Sequence, residues 1–155
     1  MKNKKGFTLV ELVVVIAIIG ILAAILVPSL MGYVKKSRLN QSNGNAKVAY
    51  NCVASLEAAY ITEGRELQYV GSEIDCRGTA PEPNNEFTRE VYRSIAQNAR
   101  GSGILYLGEF TVEGRDETAL FVQWKTADHD QMVGQYPSAS HDPQNVPTWG
   151  TYWTN

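Results

Sequence analysis

The chain has 155 residues, with 14 lysines and arginines against 16 acidic residues and a net charge of −2. That length suits one compact domain plus an appendage, and the acidic balance does not suggest direct nucleic-acid binding. Two cysteines, Cys52 and Cys76, allow at most one intramolecular bridge.

The first five residues carry three lysines, Lys2, Lys4 and Lys5. From Leu12 to Val27 every residue is apolar or glycine. The wider run, Phe7 to Val34, reads FTLVELVVVIAIIGILAAILVPSLMGYV. As a helix rising about 1.5 Å per residue, it is long enough to cross a hydrocarbon layer of about 30 Å. Its basic flank predicts a cytoplasmic N-terminus and an outward C-terminal part. A secretory signal peptide would be cut beyond its apolar region, where Ala23 and Ala24 offer only a weak site. The other discontinuity, Gly6-Phe7, precedes the apolar run. A cut there removes the lysines and leaves 11 basic against 16 acidic residues, a net charge of −5.

Glu11 lies inside this apolar run. A carboxylate in hydrocarbon is unfavourable without a compensating partner. After a cut at Gly6-Phe7, the Phe7 amine of the same or a neighbouring chain could serve. The alternative is a carboxylate that snorkels to the interface. Pro28 lacks an N–H and crowds the preceding turn. It either kinks the helix or marks its exit from the membrane.

The segment KKGFTLVELVVVIAIIGILAAILVP resembles the class III signal sequence of type IV pilins and their pseudopilin relatives. The resemblance covers roughly residues 2–38 and rests on the joint occurrence of basic leader, Gly6, Phe7, Glu11 and uninterrupted apolar helix. It implies cleavage after Gly6 by a prepilin peptidase, N-methylation of Phe7, and a role for Glu11 in selecting the incoming subunit and setting axial register during assembly. Pro28 matches the family's proline in the upper part of this helix. The implied partners are other copies in a helical filament, the peptidase, an inner-membrane platform and a cytoplasmic ATPase. The implied location is a single-pass membrane precursor, then an extracellular pilus on a bacterial surface. Adhesion, twitching motility and DNA uptake are the outputs such filaments have. The retained Glu11 and modest length favour a major pilin. A pseudopilin of a type II secretion system, or a minor pilin, is the near alternative. A membrane-anchored binding domain or enzyme is the alternative of a different class.

Beyond the apolar run stand Lys35, Lys36 and Arg38, then an amphipathic stripe, Leu39, Ala46, Ala49, Val53, Leu56 and Tyr60, at helical spacing. One long helix is expected from about Thr8 to Thr62, ending at Gly64, with Asn43-Gly44-Asn45 as a point where it could bend. Gly64 to Asn85, with Pro81 and Pro83, reads as an irregular connector. Cys76 lies in it and Cys52 on the helix, so a Cys52–Cys76 bridge is expected, with two free thiols as the alternative. The bridge would close a loop of about 25 residues and contribute roughly 3 kcal/mol by the chain-entropy argument. That placement departs from the pilin pattern of a bridge near the C-terminus.

A second helix is expected over Glu86–Arg100, capped by Asn85 and ended by Gly101, with Phe87, Val91, Ile95 and Ala99 on one face. Strands follow at Ile104–Val112, Ala119–Thr126 and Met132–Tyr136, with a hairpin turn at Gly114–Glu117. In the tail, Trp149, Tyr152 and Trp153 either pin the segment to the sheet or form contact surface. Asp128-His129-Asp130 is the one tempting cation cluster, more readily a polar turn; His141-Asp142 is unspecific. No nucleophile motif, phosphate-binding loop or paired-cysteine zinc spacing is present, so no enzyme, cofactor or metal is expected. The fold expected is α+β: a long N-terminal helix, membrane-spanning first and amphipathic second, packed on an antiparallel sheet of three or four strands with a short second helix. The expected organisation is a leader over residues 1–6, a membrane and filament-core helix over 7–34, and a globular pilin domain over 35–155.

Overall fold

The structure, a computed structural model, describes residues 6–78, 82–98 and 103–154, and the side chains of these apart from residues 96–98. The leader lysines, Pro81, and the expected end of the second helix at Ala99, Arg100 and Gly101 lie outside the described residues. The elements in chain order are α1 (Leu9–Glu63), β1 (Ser72–Asp75), α2 (Glu86–Asn98), β2 (Ile104–Thr111), β3 (Thr118–Lys125) and β4 (Gly134–Tyr136). The fold is α+β, as expected. The chain divides into two compact units, residues 1–35 and 36–155.

In the second unit α1 buries the predicted stripe. Leu39, Ala46, Ala49, Val53 and Tyr60 are all buried and Leu56 is partly so. The helix stops as glycine chemistry predicts. Gly64 takes φ 67°, its N–H donates to the Ile61 carbonyl at 3.2 Å, and Arg65 N–H reaches back to the Tyr60 carbonyl at 2.9 Å. These two bonds satisfy carbonyls the helix would otherwise leave open. The Arg65 guanidinium stacks 3.6 Å from the Tyr60 ring centroid and pairs with Glu86 at 2.9 Å, joining the end of α1 to the start of α2. Asn85 caps α2, its Oδ1 accepting from Thr88 N–H at 3.2 Å. Phe87, Val91 and Ile95 form the buried face of α2.

The four strands form one antiparallel meander in the order β1-β2-β3-β4. Leu105, Leu107, Leu120, Val122 and Trp124 share one core with α1 and α2. Alternation along the strands puts Tyr106, Phe110, Phe121 and Gln123 on the opposite face. There Phe110 stacks on Tyr152 at 3.7 Å, and Trp149 Nε1 donates to Glu73 at 2.8 Å. Of the two readings of the tail aromatics, the structure realises pinning.

Four expectations need correction. The connector is not wholly irregular: it contains β1, paired from Ser72↔Leu107 to Asp75↔Ile104. Its four residues, SEID, carry one core side chain, Ile74, too little for a recognisable alternation. Second, α1 runs unbroken through Asn43-Gly44-Asn45. Asn43 is buried and bonded across the fold: its Nδ2 donates to the Ser140 carbonyl at 2.6 Å and its Oδ1 accepts from Gln135 N–H at 3.1 Å. Third, the last strand is only Gly134–Tyr136, because at Gly134 the chain lies directly on the α1 backbone. A Cβ there would overlap the Ser42 carbonyl group and the Asn43 nitrogen.

The expected Cys52–Cys76 bridge is not formed; both cysteines are free thiols. They belong to the same apolar neighbourhood. The Cys76 thiol is directed at the Ile74 carbonyl, 4.0 Å away, and burial pushes its pKa up to about 12. Burial also raises the Cys52 thiol, which is hydrogen-bonded to Ser94. In both, burial disfavours the thiolate, the form that reacts.

At the end of β1, Arg77 Nη2 pairs with Asp75 at 2.6 Å and Nη1 with Asp128 at 2.9 Å. The hydrogen bond from the Arg77 side chain holds the Asp75 carboxyl below its ordinary range. A carboxyl depressed in the folded state stabilises above its unfolded value of about 3.9 and loses that contribution as pH falls through the folded value. Denaturant titrations should therefore show stability declining below about pH 4, and Asp75→Asn should make that decline shallower. An unchanged acid limb would refute the assignment. Gly134→Ala should cost about 1–3 kcal/mol, since the atoms it meets are backbone and cannot rotate aside. A denaturation midpoint within error of the parent would refute the close approach.

Candidate functional site: the amino-terminal helix

α1 begins with a reciprocal cap. Thr8 N–H donates to Glu11 Oε2 at 2.8 Å, and Thr8 Oγ1 donates to the same oxygen at 2.7 Å. Glu11 N–H in turn donates to Thr8 Oγ1 at 3.3 Å. This is a capping box, Thr at the cap and Glu three residues on, and it satisfies backbone donors that a helix start leaves open. The carboxylate also lies at the positive end of the helix dipole. Phe7 and Leu12 occupy the two positions of a hydrophobic staple.

Glu11 is exposed, and its charge already has partners within its own first turn. The Phe7 amine considered from sequence does not exist while Phe7 is joined to Gly6. Thr8 is the partner missed by sequence reasoning. Its signal was present as Thr8-Leu9-Val10-Glu11, immediately before an apolar run.

Beyond the cap, α1 presents a window of mean hydropathy 3.1, none of it buried. It is long and apolar enough to cross a membrane. From Leu9 to Val27 it measures roughly 28 Å at 1.5 Å per residue. Ile16, Ile19, Leu22, Leu26 and Leu30 are all more than half exposed. Apolar exposure this continuous requires lipid or protein around it. Pro28 lies inside the helix just after this stretch, and helical structure continues on both sides of it. Gly6 is described but has nothing near its Cβ position.

The carboxylates of the other polar candidates are already engaged. Asp128 pairs with Arg77 at 2.9 Å, while Asp130 Oδ1 accepts from Met132 N–H at 3.0 Å. Among the described residues no three His, Cys, Asp or Glu side chains are grouped to hold a metal. Asp142 Oδ1 accepts from Gln144 N–H at 2.9 Å, closing a local turn. An open cleft of about 300 Å³ lies between the end of α1 and the start of α2. Its cation, Arg65, is taken by Glu63, Glu86 and Glu90 at 3.3, 2.9 and 3.4 Å.

Residues 1–27 match the family described as the prokaryotic N-terminal methylation motif. The chain is 35% identical over 89 residues to the type IV major pilin protein PilA of Myxococcus xanthus, covering 57% of this chain and 37% of that one. It is 54% identical over 44 residues to the type IV major alpha-pilin of Moraxella bovis, 28% of each chain. It is 60% identical over 37 residues to the type IV wide pilus major component PilA4 of Thermus thermophilus, 24% of this chain and 28% of that one. These matches thus span well under half the length of the relatives. No solved structure matches the chain. Over its amino-terminal segment, a methylation motif ahead of an exposed apolar helix with Glu11 built into the first turn, the chain is similar to type IV pilins.

Proposed function

We propose that this chain is a structural subunit, and specifically a major pilin, of a type IV pilus. It is inserted as a membrane-anchored precursor and cut between Gly6 and Phe7 by a prepilin peptidase. Phe7 is then N-methylated and α1 becomes part of a filament core, with the extracellular pilus as its final location. The observation that carries this reading is the exposed apolar stretch of α1 headed by Glu11. Lipid satisfies the apolar surface before assembly, and the helices of other copies satisfy it afterwards. The platform and ATPase that drive assembly are separate proteins, since the chain has no nucleotide-binding motif. The names of the matched relatives, major pilins and a wide-pilus component, favour a pilin over a pseudopilin.

The capping box refines the part played by Glu11. In the precursor its carboxylate is held by Thr8. Cleavage creates a Phe7 amine beside that turn, and a neighbouring copy brings another. An ionised carboxylate in a water-poor core prefers a cationic partner, and such pairs favour one register over others. Pro28, with no N–H to give to the ladder, is the proposed point of flexure between the membrane and filament environments.

Mass spectrometry of the mature chain should find Phe7 first, carrying one added methyl group. A chain beginning at Met1, or cut near Ala24, would overturn the proposal. Glu11→Ala should leave the precursor in the membrane but abolish or severely reduce surface filaments, counted by electron microscopy and by immunoblot of sheared fractions. Thr8→Ala, which removes the hydroxyl and spares the backbone donor, should give an intermediate loss. Normal filaments from Glu11→Ala would remove Glu11 from the mechanism.

A further inference from the structure

Residues 137–154 lack regular secondary structure, yet they cover the sheet face opposite the helices. Two glutamines lie beneath them, Gln123 on β3 and Gln135 on β4, facing each other in register. Both are 0% exposed, although a buried primary amide is favourable only when its donors and acceptor are satisfied.

Their partners are drawn almost entirely from the tail backbone. Gln123 Nε2 shares its two hydrogens among three acceptors, the carbonyls of Thr148 and Thr151 at 2.9 and 2.7 Å and Gln135 Oε1 at 3.0 Å. Gln123 Oε1 accepts from Gly150 N–H at 2.7 Å. Gln135 Nε2 donates to the carbonyls of Pro137 and Trp153 at 3.0 and 2.8 Å, with a longer contact of 3.4 Å to Ser138. Gln135 Oε1 accepts from Trp153 N–H at 3.1 Å. Two side chains therefore hold both ends of the segment, near residue 137 and over 148–153.

We propose that Gln123 and Gln135 form a clasp that fastens the C-terminal segment, residues 137–154, as a strap across the open face of the sheet, and that this strap can be released while the helix–sheet core stays folded. Two observations support separability. The apolar core includes no residue beyond Tyr136, so lifting the strap does not open it. Neither cysteine lies in the strap, so no covalent link holds it. Its other attachments include the Asn43 amide on the Ser140 carbonyl at 2.6 Å, Tyr152 on Phe110 and Phe121, and Trp149 on Tyr106, Glu73 and Lys125, with the ring contacts on the sheet face away from that core. Segments with few buried apolar contacts open at lower free energy than the core they cover. Release uncovers Tyr106, Phe110 and Phe121.

The test is amide hydrogen exchange on the full chain in detergent micelles, comparing the parent with Gln123→Met and Gln135→Met. Asn145 and Thr151 are the informative amides. They donate to the Asp142 and Thr148 carbonyls, not to either glutamine. Their exchange should accelerate at least about ten-fold in each variant, with amides of β2 and β3 changing less than about two-fold. Acceleration confined to Gly150 and Trp153 would reduce the glutamines to local bonds and overturn the clasp, as would no acceleration. If a variant does not fold, the parent in sub-denaturing urea decides. Strap amides should exchange through an opening with a smaller denaturant dependence than core amides, and a single common opening would overturn the strap.

Discussion

Where β4 meets α1, backbone lies on backbone: Gly134 sits against Ser42 and Asn43, and the Asn43 amide closes on Gln135 N–H and the Ser140 carbonyl. This contact sets the position of the fourth strand. β4 has only three residues, too few to hold a register on their own. With Gly134 seated, Gln135 comes opposite Gln123, and the segment after Tyr136 is directed over the sheet. A helix, a strand and the tail thus meet at one buried asparagine.

The amino-terminal part obeys a different constraint. Its apolar side chains are exposed among the described residues, so its energetics belong to whatever surrounds it. On the proposed function, lipid and then other copies of the helix provide that surrounding. The polar chemistry it carries is concentrated in the first turn, where Thr8 and Glu11 satisfy each other and the helix start. An acidic residue otherwise unfavourable among apolar neighbours thereby gains a structural role at the cap as well as its proposed role in register.

Legibility followed how local each signal was. The stripe from Leu39 to Tyr60, the Gly64 stop, the Asn85 cap and the hairpin at Gly114 are dictated within a few residues, and each was readable by its period or its turn chemistry. β1 was not, because Ile74 alone marks its buried face and pairing with β2 makes it a strand. Asn43 suggested a weak point because asparagine competes with the helical backbone, whereas its amide is spent on partners more than ninety positions away. The cysteines matched a bridge by loop length, which carries no information about how the two thiols are placed. Thr8 was legible and overlooked: its capping box stands in four consecutive residues.

By itself the sequence determined the α+β class, the long helix with its apolar and amphipathic halves, the candidate cleavage point at Gly6-Phe7, and Glu11 as its exceptional residue. Those properties depend on composition and on spacings of three or four residues, which hydrophobicity and helix geometry read directly. Only the tertiary structure decided the four-strand order, the seating of Gly134 on α1, the free state of Cys52 and Cys76, and the glutamine pair beneath the tail. These depend on which distant groups meet once the chain is closed. A buried glutamine reads in sequence as an ordinary polar residue until the carbonyls that satisfy it are brought to its side.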